Sequence, residues 1–73
     1  MLRVANVGDE AAMENIRDAL DLLGVEYEHI RSEPSEEYYP QTAYFYVPGD
    51  SADEVDKVMQ ELSEELGFDA EVL

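Results

Sequence analysis

Two stretches of this chain carry apolar residues at three-and-four spacing, and each stops at a glycine. The first runs from Glu10 to Leu23, with Ala12, Met13, Ile16, Ala19, Leu20 and Leu23 on one stripe and Gly24 behind it. The second ends at Leu66, with Val55, Val58, Met59, Leu62 and Leu66 on its stripe and Gly67 behind it. This spacing marks a helix with one buried face, and glycine supplies the left-handed stop. Asp9 is placed to cap the first helix, and Ser51 with Glu54 reads as a capping box for the second. A helix with one apolar stripe has to bury it, so the rest of the chain must supply a matching surface.

That surface is written in short alternating runs. Residues 2–7 read as a strand with Leu2 and Val4 on one side, and Val25–Ile30 alternates directly after Gly24. Thr42–Val47 is the most strand-like segment, halted by Pro48-Gly49, and residues 68–72 alternate as a last strand. The order is β-α-β-β-α-β in a single domain, residues 1–73. It predicts an α+β, ferredoxin-like fold with both helices on one face of a four-stranded antiparallel sheet. Right-handed crossovers put the first and third strands in the middle. Leu2, Val4, Val25, Tyr27, Phe45, Val47, Phe68, Ala70 and Val72 are then expected to face the helices. Residues 32–41 are left as an acidic, proline-bearing loop, long for a hairpin and hence a candidate functional segment.

Composition removes several kinds of chemistry. There is no cysteine, so the chain has no disulfide, thiol nucleophile, thiolate metal site or iron–sulfur cluster. Nineteen acids against four bases give a net charge of −15, which repels nucleic acid and anionic membranes alike. No run is long and apolar enough to span a bilayer, and Met1-Leu2-Arg3-Val4 lacks a signal-peptide pattern. The expected compartment is the cytoplasm.

Individual residues point to no reaction. His29 is the one histidine and has no nucleophile or orienting group beside it in sequence, so it reads as a structural residue. Ser32, Ser35 and Ser63 stand in no motif. Asp50, Asp53, Glu54 and Asp56 lack the spacing and central glycine of a calcium loop, and acids there suit the start of a helix. Gly8-Asp9-Glu10 sets two acids where a phosphate would sit. Tyr44 and Tyr46 fall on the open side of the third strand, the place where RNA-recognition domains of this fold stack bases, but Glu26, Glu28, Asp69 and Glu71 surround them. The segment Leu23-Gly24-Val25-Glu26-Tyr27-Glu28 is similar to the helix-to-strand junction of glutaredoxins, without the active-site cysteine, and implies no activity. The chain is therefore expected to be no enzyme, with no cofactor and no bound metal.

What remains is the pattern of acids. Asp9, Glu10, Glu14, Asp18 and Asp21 go with the first helix, and Asp50, Asp53, Glu54, Asp56, Glu61, Glu64 and Glu65 with the second. Glu33, Glu36 and Glu37 lie in the long loop beside Tyr38 and Tyr39, aromatic anchors that solubility alone does not require. In overall character the chain resembles small acidic phage inhibitors that mimic DNA, some anti-CRISPR proteins among them. The resemblance implies a basic, nucleic-acid-binding protein as partner. Its candidate contacts here are Glu33, Glu36, Glu37, Tyr38, Tyr39, Glu61, Glu64 and Glu65. The alternative is a stand-alone regulatory or small-ligand domain of a halophile, with the acids as a hydration coat. In either case the open sheet face is the candidate surface for a homodimer.

Overall fold

Both apolar stripes fold as helices and both alternating pairs as strands. In the computed structural model, which describes all 73 residues, the chain forms β1 (Leu2–Val7), α1 (Glu10–Leu22), β2 (Glu28–Glu33) and β3 (Gln41–Tyr46). A 3-10 turn (Gly49–Ser51), α2 (Ala52–Leu66) and β4 (Asp69–Val72) follow. The sheet order is β2-β3-β1-β4 and every pairing is antiparallel, so the ferredoxin-like layout expected from the sequence is the fold observed. The first and third strands are central, as the crossovers require. Neither helix is long and apolar enough to cross a membrane.

One core lies between the helices and the sheet. Leu2, Val4, Ala43 and Phe45 from the central strands meet Met13, Ile16 and Leu20 of α1 and Val55 and Met59 of α2. Tyr27, Ala70 and Val72 pack at its margin. On β3 the alternation is sharp: Phe45 is wholly buried and Tyr46 is 51% exposed. In β1 the alternation is interrupted. Asn6 adopts a left-handed φ of 59° within an irregularity between Val4 and Val7, which returns Val7 to the buried side. Asparagine is among the few residues that take this conformation readily.

Three details depart from the sequence reading. The second strand spans Glu28–Glu33 rather than residues 25–30, because hydrogen bonding to β3 begins only at the Glu28–Tyr46 pair. The loop between β2 and β3 is accordingly residues 34–40, with Glu33 inside the strand. The Ser51 side chain makes no capping hydrogen bond; the 3-10 turn leads into α2 instead. Asp9 does cap α1, its carboxylate accepting the Ala12 N–H at 2.9 Å.

Register fixes which loops share an end of the molecule. Val7 pairs with Gln41 and Ala5 with Asp69, so the start of α1, the 34–40 loop and the end of α2 all sit at the same end of the sheet. The two helices run antiparallel.

Candidate partner-binding surface

Charge is divided between the two faces of the fold. By register, the open sheet face carries Arg3 and Arg31 with Glu28, Glu33, Asp69 and Glu71. That leaves fifteen acids for the rest of the chain, against Arg17 and Lys57 alone. All twelve acids of the helices and their lead-ins are exposed. Both ion pairs lie on the sheet, Arg3 to Glu71 at 2.6 Å and Arg31 to Glu33 at 3.4 Å. No helical carboxylate is in an ion pair.

The helical acids form ordered rows. Glu10, Glu14, Asp18 and Asp21 follow one another at spacings of four, four and three residues, which aligns them as a ridge opposite the buried stripe of α1. Neighbouring positions at this spacing have Cβ atoms about 5–6 Å apart. On α2, Asp53, Glu54, Asp56, Glu61, Glu64 and Glu65 occupy the arc away from Val55 and Met59. Glu64 and Glu65 stand in or next to the last turn, where the helix dipole is negative and no basic residue is present. Acids there work against the helix they belong to.

The 34–40 loop is fastened from below. Gln41 is the one buried polar residue of the protein, 3% exposed, and its Nε2 donates to the carbonyls of Glu36 at 3.3 Å and Tyr38 at 3.2 Å. The Tyr38 N–H donates to the Ser35 carbonyl at 3.3 Å. The two tyrosines expected as anchors are placed differently. Tyr39 packs against the core, whereas Tyr38 is 63% exposed. Of the loop acids, Glu36 and Glu37 are exposed and in no ion pair, and Glu33 is held by Arg31. Glu61, Glu64 and Glu65 are exposed on α2, with the last two toward the loop's end of the molecule.

On the open sheet face the surroundings of the tyrosines differ from expectation. Glu28 does pair with Tyr46, but Glu26 precedes the strand, and Tyr44 is flanked by arginines. The Arg31 guanidinium lies 4.4 Å from the Tyr44 ring centre, so a transverse row reads Glu71, Arg3, Tyr44, Arg31. The one hollow of the molecule, about 220 Å³, is lined by Arg3, Ala5, Asp69, Ala70 and Glu71. It falls below the roughly 300–1,000 Å³ of ordinary small-molecule sites.

His29 has companions that sequence spacing hides. Its ring stacks on Phe45 at 4.7 Å, its Nδ1 meets Arg17 at 3.4 Å, and its Nε2 meets the Ser32 hydroxyl at 2.8 Å. A bulge at Ile30, between the His29–Phe45 and Arg31–Tyr44 pairs, brings His29 and Ser32 to the same side. The Arg17 guanidinium and the Ser32 hydroxyl thus tie the His29 ring to α1 and to its own strand. Next to it, Tyr27 has its phenol pKa raised by burial, and then by the negative charge of Asp21. No three His, Asp or Glu side chains converge as a metal cage.

No family model, no curated protein and no solved structure matches this chain.

Proposed function

We propose that this protein is a non-enzymatic binding protein whose acidic helical layer docks on a basic, nucleic-acid-binding protein and takes the place of the nucleic acid. The segregation of charge carries the reading. A hydration coat gains nothing from gathering the ion pairs on one face, whereas a docking surface needs its charge concentrated and unpaired. Here fifteen acids and two bases lie outside the open sheet face, and the ion pairs lie on that face.

The linear density of charge supports the same conclusion. From Asp53 to Glu65 six carboxylates lie along about 20 Å of α2, or one for about every 3.3 Å. One strand of B-DNA carries one phosphate per about 3.4 Å of axis. The position of Glu64 and Glu65 adds a separate argument. Charges that disfavour their own helix are expected where binding, rather than folding, sets the residue.

The test is competition. A nucleic-acid-binding protein retained by the immobilised chain should be released by DNA or RNA, and its affinity should fall steeply with added salt. Changing Glu61, Glu64 and Glu65 together to lysine should weaken that binding while leaving the fold intact. If nucleic acid and the native chain occupy the partner simultaneously, mimicry is excluded. If the triple variant binds as before, the α2 acids are a hydration coat, and the halophilic regulatory domain becomes the better reading.

A further inference from the structure

Arg31 shows how this protein satisfies an arginine. Its guanidinium lies 4.4 Å from the Tyr44 ring centre while its Nε is 3.4 Å from the Glu33 carboxylate. A planar cation is held by an aromatic ring and an acid together, a combination that suits guanidinium better than ammonium. The 34–40 loop presents the same two kinds of group without the cation. Tyr38 is exposed, Glu36 and Glu37 precede it, all three face solvent, and the loop contains no base. Gln41 holds the carbonyls of Glu36 and Tyr38, so the backbone beneath these side chains is preorganised.

We infer that the loop is an arginine-receiving site: Tyr38 with Glu36 and Glu37 accepts a guanidinium from a basic partner protein, and Gln41 is the positioning residue that holds the receptor in shape. The inference rests on the proposed function and deepens it. The helical rows attract any positive surface, while the loop selects arginine over lysine. Tyr39 takes no part in the contact, because its ring is already packed against the core.

Two peptides of equal charge test this, one of four Arg-Gly units and one of four Lys-Gly units, titrated into the full chain at 0.1 M salt, the order of ionic strength at which exposed charges are screened beyond about 10 Å. The arginine peptide should bind more tightly, by no more than about two- to fivefold, the whole strength of one exposed cation–aromatic contact, because lysine also makes a weaker one. Its binding should shift the Tyr38 ring signals in the NMR spectrum. Tyr38→Leu should abolish the preference, weakening the arginine peptide more than the lysine peptide. Gln41→Met, which removes both donated hydrogen bonds, should reduce the preference and speed hydrogen exchange of the Glu37 and Tyr38 amides. If Gln41→Met unfolds the chain, Ser35→Ala loosens the loop from the opposite side through the Glu37 N–H to Ser35 Oγ contact and should reduce the preference in the same direction. Equal affinity for the two peptides, or a preference that survives Tyr38→Leu, overturns the inference. The triple lysine change on α2 should lower both affinities by the same factor. A loss there with no arginine preference therefore rejects the loop site and leaves the docking model standing. A preference that persists while both affinities ignore the α2 change rejects the docking model instead.

Discussion

The two faces of this small sheet-and-helix sandwich solve the problem of charge in opposite ways. On the open sheet face each arginine touches an acid, and one also lies over a tyrosine ring. On the helical side twelve exposed acids have no base within ion-pair distance. The contrast teaches that overall acidity is a poor description of the molecule. The sheet face gathers the ion pairs, whereas the helical layer leaves its carboxylates unpaired, favourably at the helix starts and unfavourably at the end of α2.

The comparison is tested most strongly through β3, the strand that separates core from open face. Phe45→Ala should lower stability by about 3–5 kcal/mol, the usual cost of emptying a buried aromatic position. Tyr46→Ala, on the other side, should cost clearly less in the same urea titration. A larger loss for Tyr46 would mean that the assigned faces are exchanged. Next in size is the difference among the helical acids themselves. Asp9→Ala removes a real N-cap and should cost about 1 kcal/mol, whereas Asp18→Ala should be neutral or slightly stabilising. Equal losses for the two would show that the ridge is built into the fold and is not a free surface.

A smaller effect is expected from salt. The unfolding temperature should rise from low salt toward molar KCl as the unneutralised helical charges are screened. Tyr46→Ala should leave that slope unchanged, and the triple lysine variant of Glu61, Glu64 and Glu65 should flatten it. A flat curve for the native chain would contradict the assignment of repulsion to the helices. The smallest effect belongs to Tyr27. Its raised pKa means that the folded chain keeps this proton at pH values where the unfolded chain loses it. The resulting stability is fully present below pH 10.0 and is lost as pH climbs through the folded value. Tyr27→Phe should therefore soften the alkaline decline measured by unfolding at fixed pH steps. An identical decline in both proteins would remove burial as a cause.

Much of the fold could be read from periodicity, since Ile16, Leu20, Val55 and Met59 fall on the stripes that the spacing predicts and all are buried. The second strand could not. Residues 25–30 alternate well, but a strand exists only where a neighbour accepts its hydrogen bonds, and that partner lies more than ten residues further on. No local signal announces the bulge at Ile30, so the approach of Ser32 to His29 was invisible as well. Tyr38 and Tyr39 are adjacent and identical in kind; only the Gln41 hydrogen bonds and the core contact tell them apart. The acids were legible as a number, and their segregation only once the strands carrying Arg3 and Arg31 had taken their places.

The bulge at Ile30 has another consequence, for the protein's behaviour in company. It sits in β2, an edge strand, whose outer side offers unpaired backbone groups to any passing extended chain. While like-charged copies repel one another, that edge is guarded by distance. Once salt removes the repulsion, the guard has to be local. A strand that carries an extra residue twists away from regular pairing, and Glu28, Arg31 and Glu33 would each have to be accommodated by the incoming chain. The opposite edge, β4, is only four residues long and includes Asp69 and Glu71. The same irregularity that draws Ser32 to His29 thus makes this edge a poor template for a further strand, and deleting Ile30 should restore regular pairing geometry along it.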